Sequence, residues 1–201
     1  MSNICLLAQS PRVGSTAWYD FLKNSLSNHN HLGEIFNIDI NHKSNDEIIE
    51  LLKYKKNIFV KIIPCHITDD NTWTWLIENF NFITLVRYHL TDIVCSHAIS
   101  HKNKLWNIHQ VKNNYKWEKT HITHDIIKWT INDIMEFQSI RQKINPIAEL
   151  TYTNLNCNYK KLPYMKDELI ENYDIVPSMI ETYCRMINFD YQKYGYTVHP
   201  E

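Results

Sequence analysis

The chain is poor in glycine, with 3 in 201 residues, and it lacks several patterns that would assign a protein class at once. Its 5 cysteines are scattered, odd in number and without a C-x-x-C pair, which argues against a disulfide framework, and the apolar surroundings of Cys5 and Cys95 predict buried reduced thiols. No apolar run approaches the roughly 20 residues of a membrane span, and the N-terminus has no basic leader. A net charge of -1 gives no broad attraction to nucleic acid or to an acidic membrane. We therefore expect a soluble, cytoplasmic protein with neither as a partner.

The 11 histidines do not form a recognisable metal site. His97 and His101 are four residues apart and His121 and His124 three apart, as ligands on one helix can be. The H-E-x-x-H pattern is missing, however, and no cysteine or carboxylate completes either pair by spacing. Surface or capping positions explain these histidines better, so no metal is expected.

Apolar periodicity predicts strands that alternate with helices. The predicted strands are 3–9, 57–63, 81–87 and 147–152. The predicted helices are 15–27, one opened by a capping box at Ser44, 72–79, 90–102, 123–144, and one with Pro177 in its first turn. This order is typical of an α/β fold with three layers, α/β/α, around a mainly parallel sheet.

We expect one domain over residues 1–201, with a core of about 3–155 and a helical C-terminal part of about 160–195. The segment 103–123 is polar, basic and aromatic, with weak periodicity. We interpret it as a long loop or lid over the site.

The sequence Ser10-Pro11-Arg12-Val13-Gly14-Ser15-Thr16 follows the first predicted strand directly. A strand that breaks into such a loop and enters a helix leaves backbone N–H groups pointing outward, and the helix dipole adds partial positive charge. Arg12 adds a full charge, and Ser15 and Thr16 add hydroxyls. This P-loop-like strand-loop-helix predicts an anion cradle, and a helix capped by Ser15 or Thr16 is the alternative.

This loop is not the loop of a nucleoside triphosphatase, which reads G-x-x-x-x-G-K-S/T and places its lysine on the terminal phosphates. No lysine precedes Ser15, and no glycine stands five residues before Gly14. The pattern therefore argues against a P-loop kinase or a nucleotide hydrolase, which remains the runner-up class of enzyme.

A second candidate anion site lies where the strand 81–87 ends. Arg87 closes this strand, and Ser96 lies in the following helix. Both side chains can face the carboxyl edge of the sheet, where ligands bind in folds of this kind. Taken alone, a surface ion pair between Arg87 and Asp92 explains the arginine better.

Four segments together resemble sulfotransferases that use 3′-phosphoadenosine 5′-phosphosulfate. Residues 11–16 resemble the 5′-phosphosulfate loop, Pro-Arg/Lys-Ser-Gly-Ser/Thr-Thr, and residues 86–96 resemble the 3′-phosphate motif. Residues 32–36, Leu-Gly-Glu-Ile-Phe, look like the G-E-x-F segment of bacterial members related to the trehalose enzyme. Residues 147–155 are similar to the late strand that ends in Y-E-D/N-L. The resemblance covers about residues 3–155 in the right order.

The chain departs from the family pattern at several positions. Val13 stands where serine is usual, and Tyr88 stands where many members carry a second arginine. Ala17 takes the place of the tryptophan of cytosolic eukaryotic members, and their late R-K-G motif is absent. The chain is therefore most similar to the compact bacterial and viral branch.

The resemblance implies in-line transfer of a sulfuryl group from 3′-phosphoadenosine 5′-phosphosulfate, which leaves adenosine 3′,5′-bisphosphate. It implies a hydroxyl or amine of a small molecule or a glycan as the acceptor, no metal, and a homodimer as a candidate assembly. The implied cofactor contacts are Pro11, Arg12, Val13, Gly14, Ser15, Thr16, Arg87 and Ser96. A non-catalytic nucleotide-binding module with a decayed site is the alternative, for which Val13 and Tyr88 are the best evidence.

Glu34 is the candidate general base. Gly33 permits an unusual backbone turn before it, and the apolar side chains of Ile35 and Phe36 are expected to raise its pKa by desolvation. The family resemblance puts its catalytic carboxylate here too. A solvated loop glutamate is the alternative.

Three basic side chains complete the predicted site. Lys61 lies in the apolar run 59–63 and needs a buried anionic partner, either a sulfonate oxygen or a core carboxylate. His66 is the alternative base, and Arg12 would neutralise charge on the leaving phosphate.

Overall fold

The computed structural model describes residues 2–105, 115–154 and 166–199. Its strands are β1 (Ile4–Ala8), β2 (Asn30–Gly33), β3 (Ile58–Ile62), β4 (Asn81–Val86) and β5 (Ala148–Thr151). Its helices are α1 (Ser15–Ser25), α2 (Ile38–Asn41), α3 (Asn45–Leu52), α4 (Asp70–Asn79), α5 (Leu90–Asn103), α6 (His124–Arg141), α7 (Lys166–Leu169) and α8 (Val176–Met186). Short 3₁₀ turns lie at Pro64–His66, Tyr152–Asn154, Tyr173–Ile175 and Gln192–Tyr194.

The five strands form a parallel sheet with the order β2-β3-β1-β4-β5, which confirms the predicted α/β fold. Every residue of β1 and β3 is buried, and so is all of β4 except Asn81. These three strands are central and covered on both faces, so they read as continuous apolar runs. The edge strand β2 has no fully buried residue and carries a bulge between His31 and Gly33. For that reason the sequence did not predict it as a strand.

The connections between the parallel strands place the helices in layers. Connections between parallel strands are right-handed as a rule, which predicts α1 on one face of the sheet and α3 and α4 on the other. In agreement, α3 packs against α4. The connection from β1 leads past β3 to β2, and the connection from β3 leads past β1 to β4, so the winding of the sheet changes direction between β1 and β3. Ligands bind beside the carboxyl ends of the strands at such a point.

The chain divides into two compact units. The first consists of Met1–Val86 and Asp133–Cys157 and holds the sheet with α1 to α4. The second consists of Arg87–Asn132 and Asn158–Glu201, and in it α5 packs against α7 and α8.

The C-terminal residues of the second unit hold the start of α5. The Thr197 N–H donates to the Tyr88 carbonyl at 3.0 Å, and the Leu90 N–H donates to the Thr197 carbonyl at 2.8 Å. The Thr91 hydroxyl donates to the Val198 carbonyl at 2.5 Å. The bond from Leu90 supplies a partner for a backbone N–H of the first turn of α5, which has none within the helix, and the other two bonds fix residues next to it.

Part of the predicted lid lies outside the described residues, namely 106–114, as does the end of the predicted late motif at 155. The described part of the lid is tied to the end of α5. The Tyr115 hydroxyl donates to the Asn103 carbonyl at 3.2 Å, and the Glu118 N–H donates to Asn103 Oδ1 at 2.9 Å. Within the described ranges, no helix combines the length and the apolar character that crossing a bilayer requires.

Candidate functional site

The loop between β1 and α1 has a left-handed backbone at two places. Arg12 has φ 72° and Gly14 has φ 82°. Gly14 is the N-cap of α1 without any side-chain cap, and its carbonyl accepts the Trp18 N–H at 3.1 Å. The alternative in which Ser15 or Thr16 caps the helix is therefore wrong, because both residues lie inside the first turn.

Gly14 is required by its surroundings as well as by its φ. A Cβ at this position would lie 2.8 Å from Cδ2 of Tyr152, which follows β5. The Trp18 indole N–H donates to the Thr151 carbonyl at 3.2 Å, so the end of β5 also holds the start of α1. Val13 is fully buried, so its side chain packs in the interior of the protein.

Thr16, Glu34 and Lys61 meet at the carboxyl ends of β2 and β3. Gly33 pairs with Val60, and the next residues along the two strands are Glu34 and Lys61. Lys61 Nζ lies 2.5 Å from Glu34 Oε1 and donates to Thr16 Oγ1 at 3.1 Å. Because the Lys61 side chain is only 6% exposed, its charge needs this partner. Of the two partners left open for Lys61, the structure shows the carboxylate.

Asn37 and His66 approach the second oxygen of Glu34. Asn37 Nδ2 donates to Glu34 Oε2 at 3.0 Å, and Asn37 Oδ1 accepts the Asp39 N–H at 3.0 Å. His66 Nε2 lies 3.9 Å from Glu34 Oε2. The structure thus brings together four of the predicted site residues, Thr16, Glu34, Lys61 and His66. It adds Asn37, the N-cap of α2, which the sequence analysis did not single out.

The prediction that apolar neighbours raise the pKa of Glu34 is wrong. Burial does push this pKa upward, but the charge of Lys61 and the hydrogen bonds from Lys61 and Asn37 outweigh it, so the pKa lies below its ordinary value. Burial lowers the pKa of His66 more than the Glu34 carboxylate raises it. At neutral pH the cluster therefore holds an ionised carboxylate beside a neutral imidazole, and both are in the form that accepts a proton.

Arg87 lies in the second unit, where it forms an ion pair with Asp92. The pair is the one expected as the alternative, but it is not on the surface, because the Arg87 side chain is only 9% exposed. Lys166 Nζ lies 2.6 Å and His89 Nδ1 3.3 Å from Asp92 Oδ1. Burial raises the pKa of Asp92, but Arg87, Lys166 and His89 together lower it to about 2. Ser96 is buried on α5.

The sequence did not predict His89 and Lys166 as parts of this cluster. Lys166 stands far along the chain from Asp92 and lies in a helix of only four residues. No spacing rule links Lys166 to Asp92, so only the folded chain could show that contact. His89 could have been found, because it stands three residues before Asp92 at the start of α5.

Across the described ranges, no group of three or more His, Cys, Asp or Glu side chains is arranged to hold a metal ion. His97, one of the spaced histidines, is buried, and its Nδ1 lies 2.9 Å from the Thr130 hydroxyl. The expectation of a surface or capping position is therefore wrong for His97, which is packed inside the second unit.

No protein-family model matches the chain, and no curated protein matches it significantly. Among solved structures it is similar to the shikimate kinase of Bacteroides thetaiotaomicron, with 10% identity, a TM-score of 0.46, and coverage of 93% of this chain and 98% of that one. It is also similar to the YorR protein of Bacillus subtilis in complex with phosphorylated GDP, with 8% identity, a TM-score of 0.44, and coverage of 92% and 98%. Likeness at this level assigns neither a family nor an activity, and neither structure supports the sulfotransferase family specifically.

Proposed function

We propose that the protein is a sulfotransferase that uses 3′-phosphoadenosine 5′-phosphosulfate. One observation carries the proposal: a buried lysine joins a P-loop-like turn to an ionised carboxylate at the carboxyl edge of a parallel sheet. A cation beside the first turn of α1 suits an oxyanion there, because N–H groups and positive charge converge on it. An ionised carboxylate at the same place is in the form that can take a proton from an acceptor.

The residues of the cluster fit the steps of sulfuryl transfer. The acceptor oxygen or nitrogen attacks sulfur, its proton passes to Glu34, and the bond from sulfur to the 5′-phosphate oxygen breaks. Lys61 and Thr16 would hold the transferring group. Backbone N–H groups of the loop and Arg12 would neutralise the charge left on the phosphate. The acceptor class stays as the resemblance gives it, a hydroxyl or an amine of a small molecule or a glycan.

The assignment of Arg87 and Ser96 to the 3′-phosphate rests on the resemblance alone, since Arg87 is paired with Asp92. A non-catalytic nucleotide-binding module is the second candidate, and one observation favours it. Val13 is fully buried and brings no hydroxyl to the loop, where the family pattern has serine. A P-loop kinase would have a lysine directly before Ser15, but Gly14 stands there, so the loop argues against a kinase.

A thermal-shift titration separates the sulfotransferase and the decayed module, taken together, from the kinase. A sulfotransferase or a decayed module should be stabilised by adenosine 3′,5′-bisphosphate without magnesium, by about 2.7 kcal/mol at a hundredfold excess over Kd. A kinase should respond to ADP with magnesium instead. Absence of any shift with the bisphosphate at millimolar concentration would overturn the nucleotide site.

Arg12→Asn tests the loop itself. Asparagine tolerates a positive φ, so this variant removes the charge without straining the backbone. We expect the affinity for the bisphosphate to fall about tenfold or more. The matched control is Lys104→Asn, another cation at positive φ but in the second unit, which should bind as the wild type does. Equal losses in the two variants would show that the loop does not hold the anion.

Catalysis needs its own test, with a radiolabelled sulfuryl donor and a panel of glycans and amines. Glu34→Gln should lose transfer while it still binds the bisphosphate, and the exposed Glu50→Gln should keep full activity. Full transfer by Glu34→Gln would refute the base assignment. Binding without transfer to any acceptor in the wild type would favour the non-catalytic module.

A further inference from the structure

Lys61 occupies a position between two anions of the proposed reaction. Its ammonium group carries three N–H donors, and it contacts a hydroxyl in the first turn of α1 on one side and a carboxylate on the other. Its main chain is fixed in the middle of the sheet, where it pairs with Leu6 of β1. The hydrogen bond to Thr16 and the ion pair with Glu34 hold the ammonium group between these two side chains.

An oxyanion held by the first turn of α1 would compete with Glu34 for this ammonium group. A phosphate or sulfonate group offers several oxygens to Lys61, whereas Glu34 offers one at 2.5 Å. Like charges also repel, so an anion beside Thr16 disfavours a tight ion pair that keeps the Glu34 charge close. Glu34 has a second anchor, because Asn37 holds Oε2 and is itself fixed by the Asp39 N–H.

We propose that Lys61 is shared between Glu34 and the oxyanion bound at residues 12–16, so that arrival of the cofactor draws Lys61 away and leaves Glu34, held by Asn37, as an active base. The inference rests on the proposed function and adds an order of events. The base is held by its lysine until the donor is in place, and only then is it a strong proton acceptor. Asn37 is the positioning residue, because its hydrogen bond keeps the Glu34 carboxylate in place after Lys61 has moved away.

Two titratable groups act on Glu34 in the part of the chain that the structure describes. Lys61 faces it from β3 and His66 from the following 3₁₀ turn, and both lower the pKa of Glu34. Asp39 acts on His66 and raises the pKa of that imidazole. Because Lys61 makes the ion pair and a hydrogen bond, its displacement should dominate any change at Glu34.

Carboxyl-carbon NMR of the full chain tests the inference. The titration midpoint of Glu34, assigned by its disappearance in Glu34→Gln, is measured with and without saturating adenosine 3′,5′-bisphosphate, and with inorganic sulfate as a minimal probe. We expect an upward shift of about one pH unit on binding, a tenfold change in the acid dissociation constant. Glu47, which sits in the capping box of α3, is the internal reference and should not move.

Lys61→Met supplies the second arm. Without ligand, its Glu34 midpoint should already be raised, and the further shift on binding should be much smaller than in the wild type. An unchanged midpoint in ligand-free Lys61→Met would overturn the inference, and so would bisphosphate binding, seen by calorimetry, that leaves the wild-type midpoint in place. Failure of the proposed function has a different signature, which is calorimetry without any bisphosphate binding. That result would also remove the trigger and so end the inference.

Discussion

Neutralising one partner of the Lys61–Glu34 pair should cost more stability than neutralising both. Glu34→Gln leaves a 6%-exposed ammonium group with neutral partners, and Lys61→Met leaves a carboxylate that is 20% exposed. Loss of one partner of a buried pair costs about 3–5 kcal/mol. The ammonium group left by Glu34→Gln keeps little solvent, so we expect about 3 kcal/mol for that variant. Glu34 keeps some solvent and its bond from Asn37, so we expect about 2 kcal/mol for Lys61→Met. The neutral double variant should lose only about 1–2 kcal/mol, a coupling energy of about 3–4 kcal/mol.

Urea unfolding of the four proteins at pH 7 measures this coupling. The exposed pair of Lys53 and Glu50 on α3 is the control, and the same substitutions there should show no measurable coupling. Additive losses at Lys61 and Glu34, within about 0.5 kcal/mol, would refute the buried pair. The same unfolding curves show whether Glu34→Gln is folded under the conditions of the transfer assay. If it is folded there, its loss of transfer is chemical.

Three further predictions concern stability. Gly14→Ala should cost more than about 2 kcal/mol in urea unfolding and Gly33→Ala only about 1 kcal/mol. Both have positive φ, but only at Gly14 does a Cβ meet Tyr152, and equal losses would contradict this account. The free energy of unfolding of the wild type, measured relative to Asp92→Asn, should fall by about 2 kcal/mol between pH 4 and pH 2. The folded pKa of Asp92 is about 2, so its charge stabilises the fold fully above the unfolded pKa, and this stabilisation is lost as pH falls through the folded pKa. A parallel pH dependence in both proteins would refute it. Ser44→Ala should lower the unfolding free energy by about 1 kcal/mol through loss of the α3 cap, and no change would mean that the cap does not form.

Much of the fold could be predicted from the sequence, because the central strands carry their burial in their composition. β1, β3 and β4 are covered on both faces, and continuous apolar runs mark them. The edge strand β2 could not be found this way. It is short and half exposed, and its pairing with β3 rather than its own sequence makes it a strand. Strand order also lay beyond the sequence, because it depends on contacts between distant segments.

The sequence by itself determined which side chains to examine, Thr16, Glu34, Lys61 and His66, since residue type, neighbouring residues and resemblance to a family pattern are all read along the chain. Only the tertiary structure decided their chemical state. Burial alone predicts a raised pKa for Glu34, but the fold places Lys61 against it and reverses the direction. The Coulomb energy of an ion pair depends on the distance in space between its two charges. Lys61 and Glu34 are far apart along the chain, and they come close only once the strands have paired.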